Sequence, residues 1–132
     1  MKVIDERKLK EKFIVGTEKD FYRNIKKYDE SMIPVMKARG YTCIRSAERT
    51  VAFTFGEFCF SRRKWKRGSE WYSPVDEWLG LDKNSRYSKE LIYQIAELST
   101  MMSYDHVVKV IQMMYHVKIT KPTVIKTVKF AD

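Results

Sequence analysis

Between Phe21 and Met32 apolar side chains recur at helical spacing, through Ile25 and Tyr28, and the pattern predicts a helix running to about Arg39. Thr17 followed by Asp20 resembles a capping box at its start, with an oxygen for orphan amides and a carboxylate near the positive helix end. Pro34 lacks an amide and crowds the carbonyl of Glu30, so a kink or restart is expected there. Gly40 ends the helix. The pattern in residues 1–16 is weaker and admits a strand, a short helix or a mobile arm.

From Thr50 to Arg63 the period changes to two. Val51, Phe53 and Phe55 alternate with small or polar residues, Gly56-Glu57 follows, and Phe58 and Phe60 resume the alternation. A two-residue turn with Gly first suits a type II′ hairpin. That register pairs Phe55 with Phe58, Phe53 with Phe60 and Val51 with Arg62. It gathers the apolar side chains on one face and leaves Ala52, Thr54, Cys59 and Ser61 on the other. The second strand is expected to continue to Lys66, turn at Arg67-Gly68-Ser69 and return at Trp71 and Tyr72. Ser73 to Gly80 then combines an N-cap serine, Pro74 at the first helical position, Asp76 and Glu77 in the first turn and a terminal glycine. Those are the signals of a short connecting helix. Asp82-Lys83-Asn84-Ser85 reads as a linker.

The remainder is helical. Ser88 caps a stripe of Leu91, Ile92, Ile95, Leu98 and Met102; Ser103 caps another of Tyr104, Val107, Val108, Ile111, Met114 and Tyr115. After His116-Val117-Lys118-Ile119, Thr120 caps a third helix, reaching Phe130, whose Val124, Ile125 and Val128 are expected to face inward. None of the three can bury its stripe alone, so they should pack together. The fold class is α+β. An N-terminal helix plus a small antiparallel β-meander occupies residues 1–82, and a C-terminal trihelical helix-turn-helix unit occupies 83–132.

Composition narrows the class of partner. The 132 residues carry 26 Lys plus Arg against 17 Asp plus Glu, a net charge of +9. No long stretch is acidic enough to absorb that surplus internally, which favours an anionic partner, above all nucleic acid; solubility alone is the plain alternative. No apolar run approaches the ~20 residues of a membrane span, and the charged start does not fit a signal peptide. A cytoplasmic, nucleoid-associated protein with no membrane partner is expected.

The third helix of the last block has the layout of a recognition helix, which lays its solvent face in the major groove. Behind the Thr120 cap, subtracting the core positions leaves Lys121, Thr123, Lys126, Thr127 and Lys129 outside, all cationic or hydrogen-bonding and none acidic. Lysine reaches phosphate or guanine edges, and threonine offers a hydroxyl and a methyl. An ordinary solvated basic face is the competing account. A second basic element, Arg62, Arg63, Lys64, Trp65, Lys66 and Arg67, places five cations around one indole. Such a ribbon can track a phosphate backbone with Trp65 packed on sugar or base, or simply guard a sheet edge by charge.

Other polar clusters carry less. Asp76 and Glu77 sit where a capped helix wants acids, and Asp82 follows them, so capping is preferred to catalysis. Cys43, Cys59, His106 and His116 lack any Cys-x-x-Cys seed for zinc, and the cysteines read as small buried strand residues. The Met101-Met102 and Met113-Met114 doublets read as core filler. No nucleophile–base spacing or phosphate loop is present, so neither enzymatic activity, a cofactor nor a small-molecule substrate is expected.

Several of these residues form a pattern in order. Thr54-Phe55-Gly56-Glu57-Phe58 precedes Arg62-Arg63; then come Pro74-Val75-Asp76-Glu77-Trp78-Leu79-Gly80-Leu81, Ser103-Tyr104 and Ile119-Thr120-Lys121-Pro122-Thr123-Val124. Together they resemble the N-terminal region of the ISLre-type bacterial insertion-sequence transposases, over about residues 20–130. The aromatic that follows the Arg pair stands one position further on here, as Trp65. The resemblance implies the end-binding portion of a DNA transposase, whose Asp-Asp-Glu catalytic acids belong to an RNase-H-like domain further along. The expected partner is duplex DNA at transposon terminal repeats, with a homodimer as a second association. A protein–protein interaction module, or an RNA-binding domain using the aromatic ribbon, are the alternatives.

Overall fold

Helix α1 begins earlier than its apolar stripe does. In the computed structural model, which describes residues 5–131, α1 spans Glu6–Ala38 and is capped by Asp5, whose Oδ1 accepts from the Arg7 amide at 3.1 Å. Thr17 and Asp20 therefore lie inside the helix and cap nothing. The added turns are rich in Lys, Glu and Arg, which favour helix without needing a buried face, and every side chain from Asp5 to Asp20 is exposed. Residues 1–4 lie outside the described residues. The helix runs on through Pro34 without interruption. It closes at Gly40, where φ is +84°. There the Tyr41 amide donates to the Met36 carbonyl and the Gly40 amide to that of Lys37, the paired bonds of a Schellman end.

A three-stranded sheet follows in the order β1 (Thr42–Phe53), β2 (Gly56–Arg67) and β3 (Glu70–Tyr72). The β2–β3 pairing sets Trp65 opposite Tyr72 and Arg67 opposite Glu70, as the meander predicts. The first hairpin differs. Its connection is Thr54-Phe55, not Gly56-Glu57, so the expected pairing of Phe55 with Phe58 across a turn is absent. Gly56 opens β2 with φ +137°, and a Cβ there would lie 3.2 Å from the Phe58 ring. The glycine is thus needed beside the turn, where backbone and ring meet, and not within it. Phe55 is left exposed, while Ala52, expected outside, is buried.

The described residues fall into two compact units that interleave along the chain. One comprises the chain up to Glu48 together with Phe60–Val75; the other comprises Arg49–Cys59 and everything from Asp76 onward. The tip of the first hairpin groups with the C-terminal helices. The Ala52 amide donates to the Arg86 carbonyl at 2.8 Å, and the Ser88 amide donates to the Ala52 carbonyl at 2.9 Å. Arg49 forms an ion pair with Asp76 at 3.2 Å and donates to the carbonyl oxygens of Asp82 and Ser85. The expected linker is fastened down at both ends.

Each unit has its own core. In the first, Phe21, Ile25, Met36, Phe60, Trp65 and Val75 are buried, and Phe21 meets Phe60 edge-on at 5.8 Å. In the second, α3 (Lys89–Leu98), α4 (Tyr104–Tyr115) and α5 (Lys121–Ala131) pack on one another. They enclose Leu91, Ile95, Val107, Ile111, Val117, Ile119 and Val124, with Ala52 from the hairpin. Short α2 (Pro74–Trp78) lies in the stretch where the units exchange. The Ser73 hydroxyl expected to cap it is buried without a hydrogen-bond partner. No helix among the described residues is long and apolar enough to cross a membrane.

Candidate nucleic-acid interface

The two helices that would form a helix-turn-helix are built as the caps predict. Ser103 Oγ accepts from the His106 amide at the start of α4. The helix ends at His116, held in the left-handed region at φ 57° with its amide bonded to the Gln112 carbonyl. An extended segment then buries Val117 and Ile119 and leaves Lys118 between them exposed. Thr120 opens α5: its Oγ1 accepts from the Thr123 amide at 3.4 Å and lies 3.0 Å from Thr123 Oγ1. The adjoining α3 is fixed by the same chemistry, with Ser88 Oγ accepting from the Leu91 amide. Turn and helix are thereby anchored in a core that α5 shares with both neighbours.

On α5 itself the face is rotated from the expected one. Lys121, Lys126 and Lys129 are exposed, and Thr123 is half-buried. Thr127 is buried, its Oγ1 donating to the Thr123 carbonyl at 2.8 Å. Ile125, expected in the core, is exposed at 38%. Helical geometry gives the reason. At ~100° per residue, Val124, Thr127 and Val128 share a ~100° arc that the core fills, and Ile125 lies a further step outside it. Thr127 tolerates burial because its hydroxyl is satisfied one turn back. Lys121 Nζ lies 3.6 Å from Asp105 of α4, an ion pair exposed on both sides, so its cation is held loosely and remains available.

Much of the basic ribbon is engaged by partners within the fold. Trp65 is only 1% exposed, so its ring offers no face to a base or sugar. Its Nε1 is buried without a partner. Arg62 is buried and donates to the Ala47 carbonyl at 2.8 Å. Arg63 is bound through both its amide, at 3.1 Å, and its guanidinium, at 2.7 Å, to the buried carboxylate of Asp29 on α1. Lys64 is half-buried. Arg67 stacks on Tyr41 at 4.5 Å and pairs with Glu70 at 2.9 Å. The aromatic that the ribbon does expose is Trp71, with Lys66 Nζ 5.1 Å from its ring centre. Arg62 shares the strand face of the buried Phe58 and Phe60, so alternation is kept; its charge is what misleads, because the Ala47 carbonyl that receives it is not legible in the sequence.

Remaining candidates resolve simply. Asp76 serves the Arg49 ion pair, and Asp82 lies 3.7 Å from Lys89. Cys43 and Cys59 are exposed, not buried. Among the described residues no three His, Cys, Asp or Glu side chains come together as metal ligands would. Met101, past the end of α3, and Met113 are exposed instead of filling the core, as is Met114 although it stands on the apolar stripe of α4. Two residues beside the site escaped sequence reasoning, Lys118 and Ile125. The apolar–polar–apolar order of Val117-Lys118-Ile119 was a legible signal for the first. The second needed the packing of α5.

Comparison with known proteins adds one relative. Over 81 residues the chain is 31% identical to a protein described as "UPF0236 protein in vanSb 3'region" from Streptococcus gallolyticus, a match covering 61% of this chain. It covers 18% of the relative, so the chain spans less than a fifth of the curated protein it matches. No family model matches the chain and no solved structure does.

Proposed function

We propose that this protein binds duplex DNA in a sequence-dependent manner, with α4, the turn at 116–120 and α5 acting as a helix-turn-helix. One observation carries the reading. The three lysines of α5 that face solvent do so on a helix with no acidic residue, anchored over a core shared with α3 and α4. In this arrangement the first turn enters the major groove. Lys121 approaches base-edge acceptors and Thr123 supports it, while Thr120 holds the helix start. Lys118, Lys126 and Lys129 lie where phosphate contacts fix the register. Thr127, Arg62, Arg63 and Trp65 are assigned to the fold.

The resemblance to ISLre-type transposases favours, as that duplex, the terminal repeats of a mobile element. In this reading the chain recognises ends and does not cut them. The test is selection of bound sites from random duplex DNA, followed by binding of purified variants at fixed salt. Lys121→Ala is expected to cost on the order of 1–3 kcal/mol on the selected site and to relax one base position. Lys129→Ala should weaken the selected and a scrambled duplex alike. Equal losses on both duplexes for both variants would remove α5 as the reading element.

A further inference from the structure

Among the described exposed side chains of α5, Ile125 is the one that can neither donate nor accept a hydrogen bond and carries no charge, Pro122 in the first turn aside. It stands four residues from Lys121 and four from Lys129, so the three form a single row along the helix, one turn apart. At 38% exposure its side chain is accessible between two cations. On a helix lying in the major groove, that row faces base edges at its start and phosphates at its end. Among the major-groove edges of the base pairs one alkyl group stands out, the C5-methyl of thymine. An isoleucine gains nothing from a carbonyl or an amino group and desolvates one at a cost. The complementary surface for this row is therefore a thymine methyl beside a base that offers acceptors to Lys121.

We infer that Ile125 is a specificity-determining residue that selects thymine in the bound duplex by packing on its C5-methyl group. The inference rests on the DNA-binding reading above and adds to it the base that the apolar position reads. It also fixes where that base lies: within the span contacted between Lys121 and Lys129, not outside it. Substitution of Ile125 leaves the core intact, because Val124, Thr127 and Val128 hold the helix down.

The experiment changes one methyl group at a time. Each thymine of the selected site is replaced by deoxyuridine, which keeps every hydrogen bond and removes only the C5-methyl. Binding of the intact chain and of the Ile125→Ala and Ile125→Thr variants is then measured. At one thymine the replacement should weaken the unsubstituted protein about fourfold, the worth of one buried methyl-sized group. The same replacement should leave Ile125→Ala unaffected, while Ile125→Thr, which keeps a branched methyl, should retain part of the sensitivity. A selected site without thymine, insensitivity at every thymine, or a sensitivity that persists in Ile125→Ala would each overturn the inference while leaving DNA binding in place. Failure to select any duplex over a scrambled one would remove the DNA-binding reading, and the inference with it.

Discussion

One residue's arc of rotation separates the α5 face that hydrophobicity predicts from the face that α5 presents. Val124, Ile125 and Val128 are the apolar positions, yet the buried arc is completed by Thr127, and Ile125 is left outside. Side-chain polarity misleads here because threonine hides its hydroxyl by donating to the carbonyl four residues back, so its burial costs little. A similar exchange occurs at Asp29 and Arg63. Both are charged and both read as surface residues, but Asp29 is 7% exposed and takes the Arg63 amide and guanidinium at 3.1 and 2.7 Å. Removing the carboxylate strands a partly covered guanidinium and an amide. Asp29→Ala is expected to lower stability by roughly 1–3 kcal/mol, discounted from a fully buried pair because Arg63 remains partly solvated. Urea unfolding measures it: the midpoint should fall with the slope unchanged. DNA affinity should not change, and a matching loss of affinity would return Arg63 to the list of phosphate contacts.

At the scale of elements, the caps of the last three helices were legible, whereas those read at Thr17 and Ser73, and the first turn, were not. Ser88, Ser103 and Thr120 each open a helix through the oxygen that the sequence offers, because capping depends on neighbours three residues away. The start of α1 was hidden because a charged, unpartnered helix carries no apolar stripe to read. The first hairpin was misplaced for a different reason. Alternation in Val51 to Phe60 is satisfied equally by several turns, and tertiary bonds from Ala52 to Arg86 and Ser88 favour the observed one. Gly56 tests that account. Its φ of +137° and the Phe58 ring 3.2 Å from a Cβ position both oppose any side chain. Gly56→Ala should destabilise the protein by roughly 1–3 kcal/mol. The Phe53–Phe55–Phe58 cluster lies around it, so the near-ultraviolet circular dichroism of the phenylalanines should change as well. A neutral substitution would show that the hairpin tip relaxes freely and that the turn is set elsewhere.

For the whole molecule, the net charge of +9 divides into two populations that sequence counting cannot separate. Three guanidinium groups are held inside the fold: Arg49 on Asp76, Arg62 on the Ala47 carbonyl and Arg63 on Asp29. Lysines at the candidate interface, at 118, 121, 126 and 129, stay exposed. Planar arginine forks suit fixed internal partners, whereas lysine heads remain hydrated on flexible stems. Duplex binding should accordingly depend on the lysines. Each neutralised phosphate releases condensed counterions with a slope of about 0.9 in log affinity against log salt. The three phosphate-contacting lysines, at 118, 126 and 129, therefore imply a slope of about 2.7. Fluorescence anisotropy with a labelled duplex over a range of sodium chloride concentrations gives the slope directly. Lys126→Ala/Lys129→Ala should reduce it by about 1.8, and Arg62→Ala, measured where the variant is still folded, should leave it unchanged. If the arginine change lowers the slope and the lysine pair does not, the anion is held by the β-ribbon and α5 is only a packing helix.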